Sequence, residues 1–505
     1  MQLLAIDLGT SSVKVLLTTK TGHILAQSVA DYPLYHPQPD QTEQSPEEWW
    51  QATVSAVQAA LAQVKNASLS VVAITLSGQM HGTVLLDRAG QLLAKAIIWP
   101  DRRSLRQVEE ITELIGPQRL IELTGSPVAT GFQAATIRWL QQAQPELWRQ
   151  VHTILLPKDY LRWRLTGNFA TDPSDGSGTL LLDVHSRDWS DEMLGTLDVD
   201  RGQLPPVQPS AAVAGHLTRQ AALALGLPAG IPMVTGAADT ACSALGAGVV
   251  NPRSLLVTVS TGGQIIIPAA SVEVDRLGRI HTFCGALTPG QGYAGWYQLA
   301  AILSAGLSLR WLRDQVFGLS GSDAYDQMMR WAEAAPAGAN GLLFLPYLVG
   351  ERTPHMDPQA RGLLLGLTAG HGRAELVRAV IEGVALACFD AFSVLAELGA
   401  KPERVIMAGG GAGSQLWRQI VADVFGLPVR RLEVKEQSAM GAILLAGAGL
   451  TLFDPAETAR QWASYGPPLE PDQSRHALYR ELLGLFRSAY RKHRDDFGLL
   501  QRLQE

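Results

Sequence analysis

The sequence predicts an α/β protein built as two domains, and three observations carry that expectation. The chain has 505 residues, too many for one ordinary core, so two domains of roughly 250 residues are expected. Strand-type runs alternate with helix-type runs along most of its length. Near Val250 the pattern restarts: LLVTVSTGGQIIIPA repeats the strand, small-residue turn and strand of LLAIDLGTSSVKVLL, as two similar halves would. The expected division is residues 1–248 and 249–505.

The opening MQLLAIDLGT carries Asp7 out of an apolar strand into a Gly-Thr-Ser-Ser turn. Val13 to Thr18 returns as a second strand and HILAQSVAD follows as a third, an antiparallel meander rather than a βαβ start. Ser45-Pro46-Glu47-Glu48 reads as a helix start, with Ser as N-cap, Pro at the first helical position and acids in the first turn. That helix runs through Trp49-Trp50 to about Val64. The buried-type strand VVAITL and the polar loop SGQMHG come next, and strands alternate with helices up to VTGAADTACSALGAG, residues 234–248. This stretch ends an apolar strand, turns through small residues and sets Asp239 where a helix begins. Beyond the restart, Ala374 to Leu398 is a long apolar helix ending at Gly399. VIMA, the turn Gly409-Gly410-Gly411 and a helix capped by Ser414 and stopped by Gly426 and Pro428 follow. Asp472 to Glu505 is charged and amphipathic and reads as a surface helix pair.

Composition narrows the class of protein. Hydrophobic residues make up 47% and charged residues 17%, the balance of a soluble globular chain, and a net charge of −6 offers no broad basic field for nucleic acid. Cys242, Cys284 and Cys388 are an odd number, widely spaced among apolar residues, which suits reduced buried thiols rather than a disulfide or zinc framework. The N-terminus shows no signal-like segment, and the weakly polar run Gly441 to Phe453 is shorter than the roughly 18 residues of a membrane span. A cytoplasmic protein with no membrane partner is expected, and the apolar content permits a homodimer.

Three small-residue turns follow apolar strands: Gly9-Thr10-Ser11, Ser260-Thr261-Gly262 and the glycine turn leading to Ser414. Small residues at such positions let backbone N–H groups approach an anion. No GxxxxGK[ST] occurs, and the glycine turn departs from the dinucleotide fingerprint because Ser414 stands where its last Gly belongs. The remaining geometry is two domains, each opening with a phosphate-gripping hairpin, around ATP. The β- and γ-phosphates then need Mg²⁺ and at least one hard carboxylate, for which Asp7 is the candidate. Asp239 has two readings, a helix N-cap or a general base for a substrate hydroxyl. A helix N-terminus is expected to lower its pKa, and the two acids are expected to meet across the gap between the domains.

With these residues identified, the chain resembles the FGGY carbohydrate kinases, above all the branch acting on D-xylulose. The resemblance rests on IDLGTSSVKV, SGQMHGTVLLD at 77–87, WPDRRS at 99–104, LLPKDYLRWRLTG at 155–167, TDPSDGSGTLLLDV at 171–184, the Asp239 turn, LPYLVGERTPHMDPQARG at 345–362 and GGGAGSQLWRQIVADVFGLPV. It spans residues 1 to about 450. It implies two actin-like, ribonuclease H-like ATPase domains with an interdomain cleft, the first binding sugar and the second nucleotide. It also implies that Asp239 is the catalytic base, that Asp7 supports Mg²⁺ and catalysis, and that Gln79, Met80 and His81 belong to the ketose site with Trp99 and Asp101 as neighbours. ATP falls to Gly9, Thr10, Ser11, Ser260, Thr261, Gly262, Gly410, Gly411 and Ser414. The implied reaction is phosphorylation of the 5-hydroxyl of a ketopentose; another pentulose or polyol, or a weakly active sugar sensor, is the alternative. Departures from the family pattern are Ser-Thr-Gly at the second turn, Ala237-Ala238 before and Thr240 after Asp239, Pro100 before Asp101, and Gln133 in a segment that usually carries a Lys.

Overall fold

The computed structural model describes residues 1–290, 294–434 and 436–503. The chain forms two compact units, neither of them a single continuous stretch. Unit 1 comprises Met1–Asn251, Pro268–Tyr297 and Val434–Ala463, and unit 2 comprises Pro252–Ile267, Gln298–Glu433 and Ser464–Glu505.

Unit 1 is built on a mixed sheet. The strands Gln2–Leu8, Ser12–Thr19 and Ile24–Asp31 form the expected antiparallel meander, and Val71–Gly78 pairs in parallel with the first of them. Pro232–Val234 and Ala237–Ala238 join Val71–Gly78 on its other side, also in parallel, and Val213–His216 closes that edge antiparallel. Every side chain from Leu3 to Leu8 is buried, as expected of a strand covered on both faces. One face packs on the helix Pro46–Ala62, which starts with Pro46 at its first position and buries Trp49, Trp50, Ala56 and Val57.

The other distinctive packing in unit 1 joins the helices Asp239–Gly246 and Gln437–Gly449. A Cβ on Gly246 would lie 2.0 Å from the Gln437 carbonyl oxygen, and one on Gly441 would lie 1.9 Å from that of Cys242. The small-residue run around Gly441 is therefore a close helix-to-helix contact that larger side chains would force apart.

Unit 2 repeats the plan. Ser254–Val259 and Gly263–Ala269 form an antiparallel hairpin, and Arg404–Ala408 and then Val429–Arg431 add in parallel. Each unit thus has the ribonuclease H-like, actin-like order of a hairpin followed by parallel strands. The helix Arg373–Glu397, expected over Ala374–Leu398, could cross a membrane by length and composition, unlike the shorter run Gly441 to Phe453, but most of it from Val377 to Leu395 is buried inside the protein. Its apolarity is that of a core helix. The C-terminal segment is one helix, Gln473–Arg502, rather than a pair: Gly484 and Gly498 lie inside it without ending it, and Tyr479, Leu483, Phe486, Tyr490 and Phe497 recur at helical spacing among its buried residues.

Candidate active site

Asp7 is the sixth residue of the strand Gln2–Leu8 and lies opposite Lys14 on one side and Ser77 on the other. Its side chain is buried. Ser438 Oγ donates to Asp7 Oδ1 at 2.9 Å, and Ser77 Oγ bonds the same Ser438 hydroxyl. Burial raises the Asp7 carboxyl above its usual range, against the lowering by the Ser438 and Ser77 hydroxyls and by Lys14. Lys14 in turn pairs with Glu436 at 3.2 Å.

Asp239 is the first residue of its helix, with Ala238 at the N-cap position and no side-chain cap. The capping reading therefore does not hold, and its carboxylate is available for other work. The expected lowering of its pKa is also overturned: desolvation, with the neighbouring Asp7 charge, pushes it up to about 7. One short helix end is outweighed by burial and a like charge. Thr240 Oγ1 donates to Asp239 Oδ1 at 3.1 Å, so the unusual residue after the acid supplies one bond to it. Asp7 and Asp239 both belong to unit 1. Their proximity is set inside one compact unit, contrary to the expected meeting across an interdomain gap.

The first turn is held tightly. Gly9 N donates to Ser12 O at 3.0 Å, Tyr32 donates its hydroxyl to Gly9 O, and Gln44 Nε2 donates to Thr10 O at 2.6 Å. Trp99 is 42% exposed, yet its indole N–H donates to Thr10 Oγ1 at 3.0 Å, which ties it to the Gly-Thr-Ser turn. Asp101 is buried, and its carboxylate accepts from Thr42 N at 2.7 Å and from Arg103 Nη2 at 2.8 Å. Arg103 also donates to Glu43 Oε1 at 2.8 Å, so Asp101 anchors a turn through an ion pair.

The Gln79-Met80-His81 signature continues from the strand Val71–Gly78. Gln79 is buried, with Nε2 donating to Gln44 Oε1 at 2.8 Å and Oε1 lacking a partner among the described residues. His81 has φ of 74°, which turns its ring onto Phe132, with centroids 3.9 Å apart. Its Nδ1 lies 2.6 Å from Gly178 O, which makes Nδ1 the protonated nitrogen in the neutral ring. A side chain at Gly178 would crowd this corner, since a Cβ would lie 2.9 Å from Met80 Cε and 3.2 Å from both Asp175 O and His81 Nδ1. Gln133, in place of the usual Lys segment, donates to Gly82 O at 3.1 Å and braces the same loop. Three rings from the distant Pro268–Tyr297 segment complete this wall: His281 stacks on Phe283 at 5.4 Å, and the Tyr297 hydroxyl contacts Met80 Sδ at 3.9 Å.

Unit 2 contains a cavity of about 500 Å³ lined by Ser260, Thr261, Gly410, Gly411 and Ser414, with Tyr325 and Trp417 among its aromatic lining residues. Five of the six unit 2 residues assigned to ATP from sequence thus share one cavity. Gly262 is not part of its lining; a Cβ there would lie 2.8 Å from Ile302 O. Gly409 adopts φ of 80°, and a Cβ on it would lie 2.5 Å from Val259 O. The Ser260 and Thr261 carbonyls accept from Gly306 N at 2.7 Å and from Ala305 and Leu307 N at 3.0 Å. Ser414 caps the helix Gln415–Phe425 by accepting from Trp417 N, as its position suggested.

Sequence reasoning missed Ser438, 431 residues from Asp7, because nothing local marks it. It also missed Ser77, although its parallel register with Asp7 follows once the two strands are paired.

Comparison with known proteins agrees with this layout. Residues 2–246 match the N-terminal domain of the FGGY family of carbohydrate kinases and residues 270–450 match its C-terminal domain. A xylulose kinase of Escherichia coli is 38% identical over 97% of this chain and 98% of its own length. One from Bacillus subtilis is 35% identical over 97% of both chains. The crystal structure described as a xyloylose kinase from Brucella ovis superposes with a TM-score of 0.91 at 32% identity, covering 98% of this chain and all of that one. Two ribonuclease H-like units, a pair of acids at strand ends of a mixed sheet and a glycine-walled cavity define a phosphotransferase. The chain belongs to the FGGY family of carbohydrate kinases.

Proposed function

We propose that the protein transfers the γ-phosphoryl group of ATP to the 5-hydroxyl of D-xylulose, giving D-xylulose 5-phosphate and ADP. The observation that carries this reading is the Asp7 and Asp239 pair, in which burial and the Asp7 charge raise the Asp239 carboxyl to about 7. A carboxylate poised there is a stronger base than a surface Asp and suits work near neutral pH. In the reaction the 5-hydroxyl oxygen bonds to the γ-phosphorus, the bond to the β–γ bridging oxygen breaks, and the hydroxyl proton passes to Asp239. Phosphoryl transfer passes through a largely loose transition state, so holding the hydroxyl in line counts for more than base strength.

Gln79, Met80 and His81 contact the sugar with Trp99, and Asp101 acts from behind through Arg103. The turns at Gly9-Thr10-Ser11, Ser260-Thr261-Gly262 and Gly410-Gly411, with Ser414, bind the nucleotide. Among the described residues no cluster of three His, Cys, Asp or Glu side chains forms a complete metal cage. A buried carboxylate with a second acid near it instead suits Mg²⁺, which keeps waters and substrate phosphates as its other ligands. Asp7 would hold that ion, which when bound neutralises charge on the phosphates.

The test is an ADP-release assay with ATP and a panel of pentuloses and polyols, run on the wild type and Asp239→Asn. D-Xylulose should give the highest kcat/KM, and Asp239→Asn should lower kcat by about a thousandfold while its affinity for ATP stays near wild type. Turnover that is independent of sugar, or undiminished in Asp239→Asn, would refute the proposal.

A further inference from the structure

Behind the Asp239 turn lies a group of charges that takes no part in the chemistry proposed above. Lys158, Asp159, Arg162, Asp172 and Asp175 are all fully buried in unit 1. Lys158 Nζ lies 2.7 Å from Asp159 Oδ1, 2.8 Å from Asp172 Oδ1 and 3.2 Å from Asp175 Oδ2, and Arg162 Nη2 lies 2.7 Å from Asp159 Oδ1. An apolar core would fill this space with less desolvation, so the position of its hydrogen bonds is informative.

Two of those bonds leave the cluster for the backbone of the Asp239 turn. Arg162 Nη1 donates to Thr235 O at 2.9 Å. At the other end of the turn, Ala238 N donates to Ser174 Oγ at 3.0 Å, while Ser174 Oγ donates to Asp172 Oδ2 at 2.5 Å. Ala238 immediately precedes Asp239 and has extended backbone, with φ of −54° and ψ of 145°. Among the described hydrogen bonds, the one to the Asp239 carboxylate comes from Thr240, its own neighbour in the chain. Thr240 moves with Asp239, so the carboxylate is placed by what holds the backbone: its helix packed on Gln437–Gly449 on one side and the peptide before it on the other. A hydroxyl can accept from that amide and donate to a carboxylate at once, which neither Ala nor a charged side chain does.

We propose that Ser174 is a positioning residue for catalysis: its hydroxyl ties the buried Lys158–Asp172 ion pair to the Ala238 amide and so sets where the Asp239 carboxylate stands. The inference rests on Asp239 being the base. A loss of placement would lower turnover while leaving both substrates to bind.

The test compares Ser174→Ala, Ser174→Cys, Ser210→Ala and Asp239→Asn in the full chain, with D-xylulose and ATP as substrates and thermal melting as a check on folding. Ser210 Oγ donates to Asp172 Oδ2 at 2.9 Å without touching Ala238, which makes it the control. Ser174→Ala should lower kcat about ten- to hundredfold with both KM values within about twofold. Ser174→Cys should fall between it and wild type, and Ser210→Ala should keep kcat within about twofold. A wild-type kcat in Ser174→Ala overturns the proposal, as does an equal loss in Ser210→Ala, which would mark general damage to the cluster. If Ser174→Ala does not fold, an undiminished kcat in Ser174→Cys overturns it. An inactive Asp239→Asn beside a fully active Ser174→Ala removes the positioning role alone, whereas an active Asp239→Asn removes the base.

Discussion

At the scale of single residues, Asp239 binds activity and stability together through one ionisation. Its carboxyl stands at about 7 in the folded protein, against about 3.9 in an unfolded chain. Below about pH 4 both states are protonated and the site costs nothing; between about pH 4 and 7 the folded state holds a proton that the unfolded state has released. Native stability therefore declines over that window and levels off above it, while the basic form needed for catalysis accumulates. Asp239→Asn should remove the burden, with an increase in stability of on the order of 1 kcal/mol or more at pH 8 that shrinks toward pH 4. Thermal melts of the two proteins across that range check the sign. In the wild type, log kcat/KM should rise with unit slope up to about pH 7 and flatten beyond. An acid limb two or more units lower would mean that the base is a different group.

At the scale of elements, the phosphate turns depend on how closely backbone passes backbone. Gly409 has φ of 80°, and a Cβ there would lie 2.5 Å from Val259 O. Gly409→Ala should therefore push the glycine turn off the Val259-Ser260 strand end and weaken ATP binding about tenfold or more, with sugar binding unchanged. Calorimetry with a non-hydrolysable ATP analogue reads it directly. Much at this scale was legible in the sequence. The meander, the Pro46 helix start and the Ser414 cap each follow from residues within a few positions of one another, and each lies where those residues put it. Less legible were features set by distant chain: the Ser438 hydroxyl on Asp7, the rings of His281 and Phe283 beside His81, and the raised Asp239 carboxyl. A helix N-terminus is visible in the sequence, but the burial that outweighs it arises only when strand and helix pack.

At the scale of the whole molecule, the buried ionic cluster and the interleaved units matter most. Lys158 faces three carboxylates with no access to water, so Lys158→Met leaves surplus negative charge sealed in unit 1. Breaking such a group by removing one partner costs about 3–5 kcal/mol, which urea unfolding should register as a lower midpoint. A cut that leaves either unit whole does not exist, because unit 1 includes Val434–Ala463 and unit 2 opens at Pro252. The N-terminal sheet is translated long before the helix that packs on Asp239–Gly246 and the serine that bonds Asp7. A chain cut before residue 434 lacks the neighbours of its acidic pair, so the site is assembled only once residues 434–463 have joined the N-terminal sheet.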